Sequence, residues 1–335
     1  MKRFILIILT LLFCCEFFLM ARNRALIIGV GHYPENSGWH ELSSINDVEL
    51  LKSVLAPTFS VQTLTDSEAT KEGIRKAIAK LTSTTVAGDI VVIHFSGHGQ
   101  QMITDDPNEP DSLDEAIVPY DAYLEKTNTY NGEKHIRDNE LGDWIKELAE
   151  KAGETGAVFV SLDACHSDDA NKGENDSGIV YRGSPEIFGA PKGFIPASIH
   201  YNSSSNIIHR EPGSAEVLFL SACQTYEKNR EYNGYGSLSY ALANILRCQP
   251  LELSPKFLSS VYSEFSRLKL YQTPGVRATF EYEVPKFVPI VLPIGGANTS
   301  SLTWLWIVAG IVILIIIAIL WRKKKKTRRN SRDGF

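Results

Sequence analysis

Four apolar runs constrain this chain more than any other feature. RALIIGV (24–30), DIVVIHFSG (89–97), AVFVSLDA (157–164) and EVLFLSAC (216–223) are almost uninterrupted in hydrophobic residues. A strand covered on one face alternates apolar with polar, so continuous runs of this length fit strands buried on both faces. Segments with helical spacing lie between them. Ile45–Leu55 follows Ser43 and Ser44, both suitable N-caps. Thr70–Leu81 puts Ile74, Ile78 and Leu81 on one side, and Asn139–Ala152 does the same with Leu141, Trp144, Ile145 and Leu148. FSVQTLT (59–65) alternates as a further strand, and helices are expected over 237–247 and 254–268. Residues 100–136 read as one long polar loop. Strands alternating with helices predict an α/β fold, a three-layer α/β/α sandwich around a mainly parallel sheet. In such sheets function gathers beyond the carboxyl ends of the strands.

The two ends of the chain have a different character. Residues 1–21 (MKRFILIILTLLFCCEFFLMA) combine a basic start, an apolar run and a small residue, Ala21, which is the form of a signal peptide. Cys14 and Cys15 also admit a lipoprotein reading, although Phe13 is a poor residue before a lipidated cysteine. Leu302–Trp321 is twenty residues without a charge, enough for a helix to span a bilayer core of about 30 Å. Trp304, Trp306 and Trp321 sit near its ends, and the basic tail 322–335 is expected to stay in the cytoplasm. Lys2 and Arg3 would lie on the same side. The expected organisation is therefore a signal peptide or retained N-terminal anchor (1–21), a body (22–282), a Pro/Gly-containing spacer (283–301), a transmembrane helix (302–321) and a cytoplasmic tail (322–335). On this reading the body lies outside the cytoplasm on a single-pass, membrane-anchored chain. The tail alone carries eight basic residues and one acidic one, so the formal net charge of −5 conceals a strongly acidic body. Such a body is a poor partner for nucleic acid.

Beyond residue 21 only Cys165, Cys223 and Cys248 remain, an odd number that leaves a thiol over. Cys223 ends an apolar run and reads as core, with pairing to Cys248 as an alternative. Cys165 needs a chemical explanation. One strand ends in SGHG, presenting His98, and another ends in LDACHS, presenting Cys165. Neighbouring parallel strands lie about 4.8 Å apart, so side chains at adjacent tips can converge. A His beside a Cys is what nucleophilic acyl transfer requires, since the imidazole takes the thiol proton and the thiolate attacks a carbonyl. The backbone amides of Gly99 and Cys165 are candidates for holding the developing oxyanion. His94, inside its strand, reads as a core histidine, and His166 is expected to point away from Cys165 if the strand continues. A zinc site from Cys165, His166 and His98 would lack a fourth ligand, and the chain has no CxxC pair.

Taken together, RALIIGVGHY, SSINDVELL, IHFSGHGQ, DSLDEAIVPYD (111–121), SLDACHS and LSACQ resemble the caspase/metacaspase superfamily of cysteine peptidases, on the metacaspase side, over Arg24 to about Leu246. The resemblance implies a caspase-type fold with His98 and Cys165 as a catalytic dyad. It also implies that Asp47, Ser96 and Asp163 line a primary pocket for a basic side chain. Asp163 and Cys165 stand at i and i+2 and so share a face of one strand, and residues 25–70 contain no Arg with which to receive an acidic side chain. Asp47 could instead cap or pair within its own helix.

Many metacaspases are activated by calcium. Residues 100–121 hold seven carboxylates and no Lys or Arg, which makes Asp105, Asp106, Asp111 and Asp114 weak Ca²⁺ candidates. Asp168 stands where a Gly often follows the nucleophile motif, with Asp169 beside it, and carboxylates near the thiol would raise its pKa. The stretch 168–215 is Gly-, Ser- and Asn-rich and carries Arg182. It reads either as a processing loop or as an ordinary surface insertion. The function expected is a membrane-anchored cysteine endopeptidase acting on polypeptides after Arg or Lys, with no cofactor needed for the chemistry and Ca²⁺ at most an activator. The alternative is a catalytically inactive caspase-like module, tethered to the membrane for binding. A thioesterase or transamidase would share the dyad without needing Asp47 or Asp163.

Overall fold

The computed structural model describes residues 23–106, 112–165, 180–184, 186–191, 193–194, 207–224 and 227–282. Four apolar runs form the middle of one six-stranded sheet, as β1 (Arg24–Gly29), β3 (Ile90–Ser96), β7 (Ala157–Asp163) and β8 (Glu216–Ser221). Strand β2 (Ser60–Thr65) lies outside β1, and β11 (Gly275–Ala278) closes the other edge. All pairings are parallel except that of β11 with β8. The central strands read as unbroken apolar runs because both faces are covered. Leu26, Ile28, Val91, Ile93, Val158 and Val160 pack against helices α2 (Lys71–Thr84) and α3 (Asp138–Ala152). The alternate residues, including Ala25, Ile27, Val92 and Phe159, pack against α1 (Ser44–Leu55), α4 (Ser237–Cys248) and α5 (Pro255–Leu268). This is the expected three-layer α/β/α sandwich, and each large apolar side chain so buried contributes about 1.5–3 kcal/mol.

The connection order places the site. From β1 the chain crosses outward to β2, returns to the far side of β1 as β3, and continues through β7 to β8. The sheet therefore changes direction between β1 and β3, the kind of point where a crevice opens beyond the carboxyl ends of the strands. Register aligns the three strand ends there, with Gly29 opposite Ser96 and Ser96 opposite Asp163. Because side chains alternate across a strand, Ser96 and Asp163 both face the α1/α4 layer.

Residues 100–136 depart from the sequence reading. They hold a second, antiparallel sheet: β4 (Gly99–Ile103), β5 (Leu113–Ile117) and β6 (Ile136–Arg137). Its small core is Met102, Ala116, Tyr130 and Phe188. Polar and acidic residues interrupt β4 and β5, so apolar periodicity did not reveal them. A two-residue hairpin, β9 (Glu231–Tyr232) with β10 (Tyr235–Gly236), was missed for its shortness. Among the described residues no helix is long and apolar enough to cross a membrane. The expected signal segment 1–21, spacer 283–301, transmembrane run 302–321 and tail 322–335 lie outside the described residues, as do His166, Asp168 and Asp169.

Candidate active site

His98 and Cys165 each follow a strand end by two residues, on adjacent parallel strands whose ends are in register. His98 sits at the elbow between β3 and β4, its ring stacked on Trp39 at a centroid distance of 4.7 Å and flanked by Tyr33 and His40. Its backbone N–H donates to the Tyr33 hydroxyl at 3.1 Å, which in turn donates to the Val118 carbonyl at 3.0 Å. The ring's Nε2 lies 2.9 Å from the His40 carbonyl oxygen. A carbonyl can only accept, so Nε2 carries the proton and Nδ1 is left as a lone pair. Among the described residues Nδ1 has no hydrogen-bond partner. Burial, the neighbouring His40 and the charge of Arg182 hold the imidazole well below the ordinary histidine range, hence neutral.

Cys165 is buried, and its thiol donates to the Glu227 carbonyl at 3.1 Å. The Cys223 thiol points at Cys165 Sγ from 3.6 Å. The alternative pairing of Cys223 with Cys248 is not formed, since both are thiols and Cys248 is exposed at the far end of α4.

The pocket residues converge on a group that sequence reading assigned elsewhere. Arg182 is fully buried, and its guanidinium occupies the space between Asp47, Ser96 and Asp163. Its Nη2 lies 2.8 Å from Asp47 Oδ2 and 2.9 Å from Glu231 Oε1. Its Nη1 donates to Ser96 Oγ at 2.6 Å and lies 3.9 Å from Asp163 Oδ1. Asp47 does not cap its own helix: it accepts from Ser96 Oγ at 2.7 Å and from the Gly236 amide at 2.9 Å. Ser43 precedes α1 without a side-chain cap and instead faces the guanidinium at 3.3 Å.

Three carboxylates around one cation cannot all be neutralised. Burial pushes Asp47 up to about 6 despite the pull of Arg182. Burial also pushes Asp163 upward, but Arg182 and hydrogen bonds from Ser239 and Asn229 outweigh it and hold that carboxyl low. Ser239 donates to Asp163 Oδ2 from both its amide (2.7 Å) and its hydroxyl (2.6 Å), and Asn229 donates to Oδ1 at 2.8 Å. Beneath this pair His94 bridges Ser161 (2.8 Å) and Ser239 (3.1 Å), the satisfied core histidine expected.

The main chain of Arg182 is held as firmly as its side chain. Its carbonyl accepts from the amides of Cys165 at 2.8 Å and Gly99 at 3.2 Å, the two donors expected to hold an oxyanion. Its own N–H donates to the Asn229 carbonyl at 2.9 Å, and the Glu231 N–H donates to the Val180 carbonyl at 2.9 Å. Tyr181 pairs antiparallel with Arg230, and the His40 ring donates to the Tyr181 carbonyl at 3.0 Å. Residues 180–182 thus lie as an added strand along 229–231, a recurrent way for a sheet edge to bind an extended peptide. Gly183 follows, so close that a Cβ there would meet the Cys165 carbonyl oxygen at 2.7 Å. The Arg182–Gly183 peptide bond therefore lies against Cys165. Such an arrangement offers a thiol, a neutral imidazole with an open nitrogen and two amides on one carbonyl, the parts needed for acyl transfer.

Glu231, Asn229, Gly236 and Ser239 were not found from the sequence. Gly236 is required sterically, because a Cβ would come within 2.0 Å of Asp163 Oδ2. Asp114, on β5, is buried and engaged by Arg137 from β6, a residue outside the acidic stretch. Asp111 lies outside the described residues, and Asp105 is exposed. Among the described residues no group of three or more His, Cys, Asp or Glu side chains is placed to hold a metal ion.

A family model described as the caspase domain matches residues 22–282. Metacaspase-1A of Neurospora crassa is 28% identical over 157 residues, 44% of this chain and 32% of the relative. Metacaspase-3 of Arabidopsis thaliana is 31% identical over 157 residues, 44% of this chain and 40% of the relative. The match thus spans well under half the length of these curated relatives. Among solved structures, protein GSU0716 from Geobacter sulfurreducens is similar in fold, with a TM-score of 0.55, 22% identity, and coverage of 79% of this chain and 95% of that one. The caspase-domain match takes in most of the chain and every element of the site, and on that ground the chain belongs to the caspase-domain family of cysteine-type peptidases.

Proposed function

We propose that the chain is a membrane-anchored cysteine endopeptidase that cleaves polypeptides after Arg or Lys. One observation carries this reading. Arg182 of the chain itself lies in the pocket as a substrate residue would, its side chain among Asp47, Ser96, Asp163 and Glu231 and its carbonyl on the Gly99 and Cys165 amides. Arg fits best because its planar fork serves several oxygen partners at once, while Lys would enter as a point charge.

In the proposed reaction His98 Nδ1 takes the Cys165 proton, with Nε2–H steadied on the His40 carbonyl. The thiolate attacks the carbonyl carbon of the basic residue, and the oxyanion forms where the two amides already converge. Loss of one such donor costs about 3–4 kcal/mol. The imidazolium then returns its proton to the leaving amine, and water releases the acyl group from Cys165. Arg182 is on this reading both the occupant that keeps the resting site closed and the first bond cut. The processing-loop interpretation of its segment is thereby preferred over a surface insertion. Anchoring rests on the uncharged run 302–321 and orientation on the basic tail after it, which would hold the peptidase domain outside the cytoplasm.

Fluorogenic peptides ending in Arg, Lys or Asp, offered to the full chain in detergent beside a Cys165→Ala chain, test the reading. Hydrolysis of Arg and Lys peptides that disappears in the variant is expected. Hydrolysis of Asp peptides alone would overturn the pocket assignment. No hydrolysis of any peptide would favour a tethered binding module instead.

A further inference from the structure

The Cys165–Cys223 pair is built from the fold rather than met by accident. β7 and β8 are adjacent and parallel, with Leu162 opposite Ser221 and the Ala222 amide donating to the Leu162 carbonyl at 3.0 Å. Each strand delivers a cysteine just past its end. The two sulfurs lie 3.6 Å apart, and both residues are buried. Cys248 stands at the far end of α4, about 17 Å along that helix from the pocket. Glu227 ties down the turn carrying Cys223, accepting from the Gln224 amide at 3.2 Å and from the Thr273 amide at 2.6 Å. The adjoining Cys165 sulfur and burial keep the Cys223 thiol protonated at rest, a hydrogen-bond donor that becomes a nucleophile only when the Cys165 sulfur is oxidised.

We propose that Cys223 is a resolving thiol, which closes a reversible disulfide with Cys165 when a hydroperoxide oxidises the latter. The Cys165 thiolate attacks one peroxide oxygen, the O–O bond breaks, and a sulfenic acid forms as hydroxide leaves and becomes water on taking up a proton. Cys165 gives up two electrons and the peroxide gains them. The Cys223 sulfur then attacks the Cys165 sulfur, the S–O bond breaks, and the departing hydroxide takes the Cys223 proton to leave as a second water. Two thiols and one hydrogen peroxide become one disulfide and two waters. The sulfurs must close to about 2.05 Å, a movement that side-chain rotation and a small shift of the turn after β8 can supply. The linked state has no nucleophile and protects Cys165 from irreversible oxidation to the sulfinic acid. That loss of activity rests on the proposed role of Cys165, whereas formation of the link does not.

The test uses the full chain in detergent, reduced, freed of reductant and treated with graded hydrogen peroxide. Remaining thiols are alkylated and the digest is mapped by mass spectrometry without reduction. A peptide pair joined through Cys165 and Cys223 is expected, together with a loss of peptidase activity of roughly tenfold or more that dithiothreitol reverses. In a Cys223→Ser chain, normalised to its own reduced activity, the loss should no longer be reversible and Cys165 should be recovered as the sulfinic acid. Recovery of oxidised Cys165 with Cys223 still alkylated, or linkage of Cys165 to Cys248 instead, would overturn the proposal. A link that forms in a chain without peptidase activity would uphold the resolving role and remove the peptidase reading.

Discussion

Two buried histidines four residues apart show how one strand serves two purposes. His94 lies inside β3 with both ring nitrogens engaged, by Ser161 and Ser239, and Ser239 passes the order on to Asp163. His98 lies just past the end of the same strand, equally buried, yet only its Nε2 is bonded and Nδ1 has no partner. A fully satisfied polar network rigidifies its members, whereas an open buried acceptor costs stability and is retained where it has work to do. The closed network below fixes the pocket carboxylate, and the open group above is available to take a proton.

The largest expected effect comes from breaking the closed network where it meets the pocket. Asp163→Asn removes a charge facing Arg182 and sets an amide against the Ser239 and Asn229 donors. Since leaving a buried charge without its partner costs about 3–5 kcal/mol, kcat/KM for Arg peptides should fall by at least two orders of magnitude. Steady-state kinetics decide this, and alkylation of Cys165 by a small neutral reagent should change far less. Equal losses in both would mean that Asp163 holds up the site generally rather than reading the basic side chain.

A smaller effect sharpens the comparison through pH. Burial lowers His94, and likewise His135, a buried histidine bonded to Tyr130 and Gln100 beside the second sheet, to about 4, so the folded chain keeps them neutral where the unfolded chain takes up protons. Their contribution is fully present above about 6.5 and is lost as pH falls toward 4, by up to about 3 kcal/mol each. Asp47, raised to about 6, and Asp138, also raised by burial, work in the opposite direction, but His98 adds to the imidazole side. Urea unfolding midpoints should therefore fall between pH 7.5 and pH 5. A flat or rising profile would show that these imidazoles are charged in the folded chain.

Much of this was legible in the sequence wherever burial imposed a pattern. The four apolar runs marked the central strands, and their ends marked His98 and Cys165. The resemblance to metacaspases added Asp47, Ser96 and Asp163. What stayed hidden depends on long-range placement within polar segments. Glu231 and Asn229 sit in an unpatterned stretch and matter only because that stretch pairs with 180–182. Gly236 is defined by a close approach that spacing cannot reveal. Arg182 was noticed as a possible cleavage point, but nothing local says that its side chain ends in the pocket forecast from Asp47 and Asp163. The pairing of Asp114 with Arg137 was hidden in the same way, since it forms only once β5 and β6 meet.

The most direct measurement is to find where the full chain cuts itself, by mapping new N-termini after purification. The account predicts a new terminus at Gly183 in the wild-type chain and in Arg182→Lys, and none there in Arg182→Gln or Cys165→Ala. A chain cut only elsewhere, or one still cut before Gly183 when Cys165 is replaced, would contradict it.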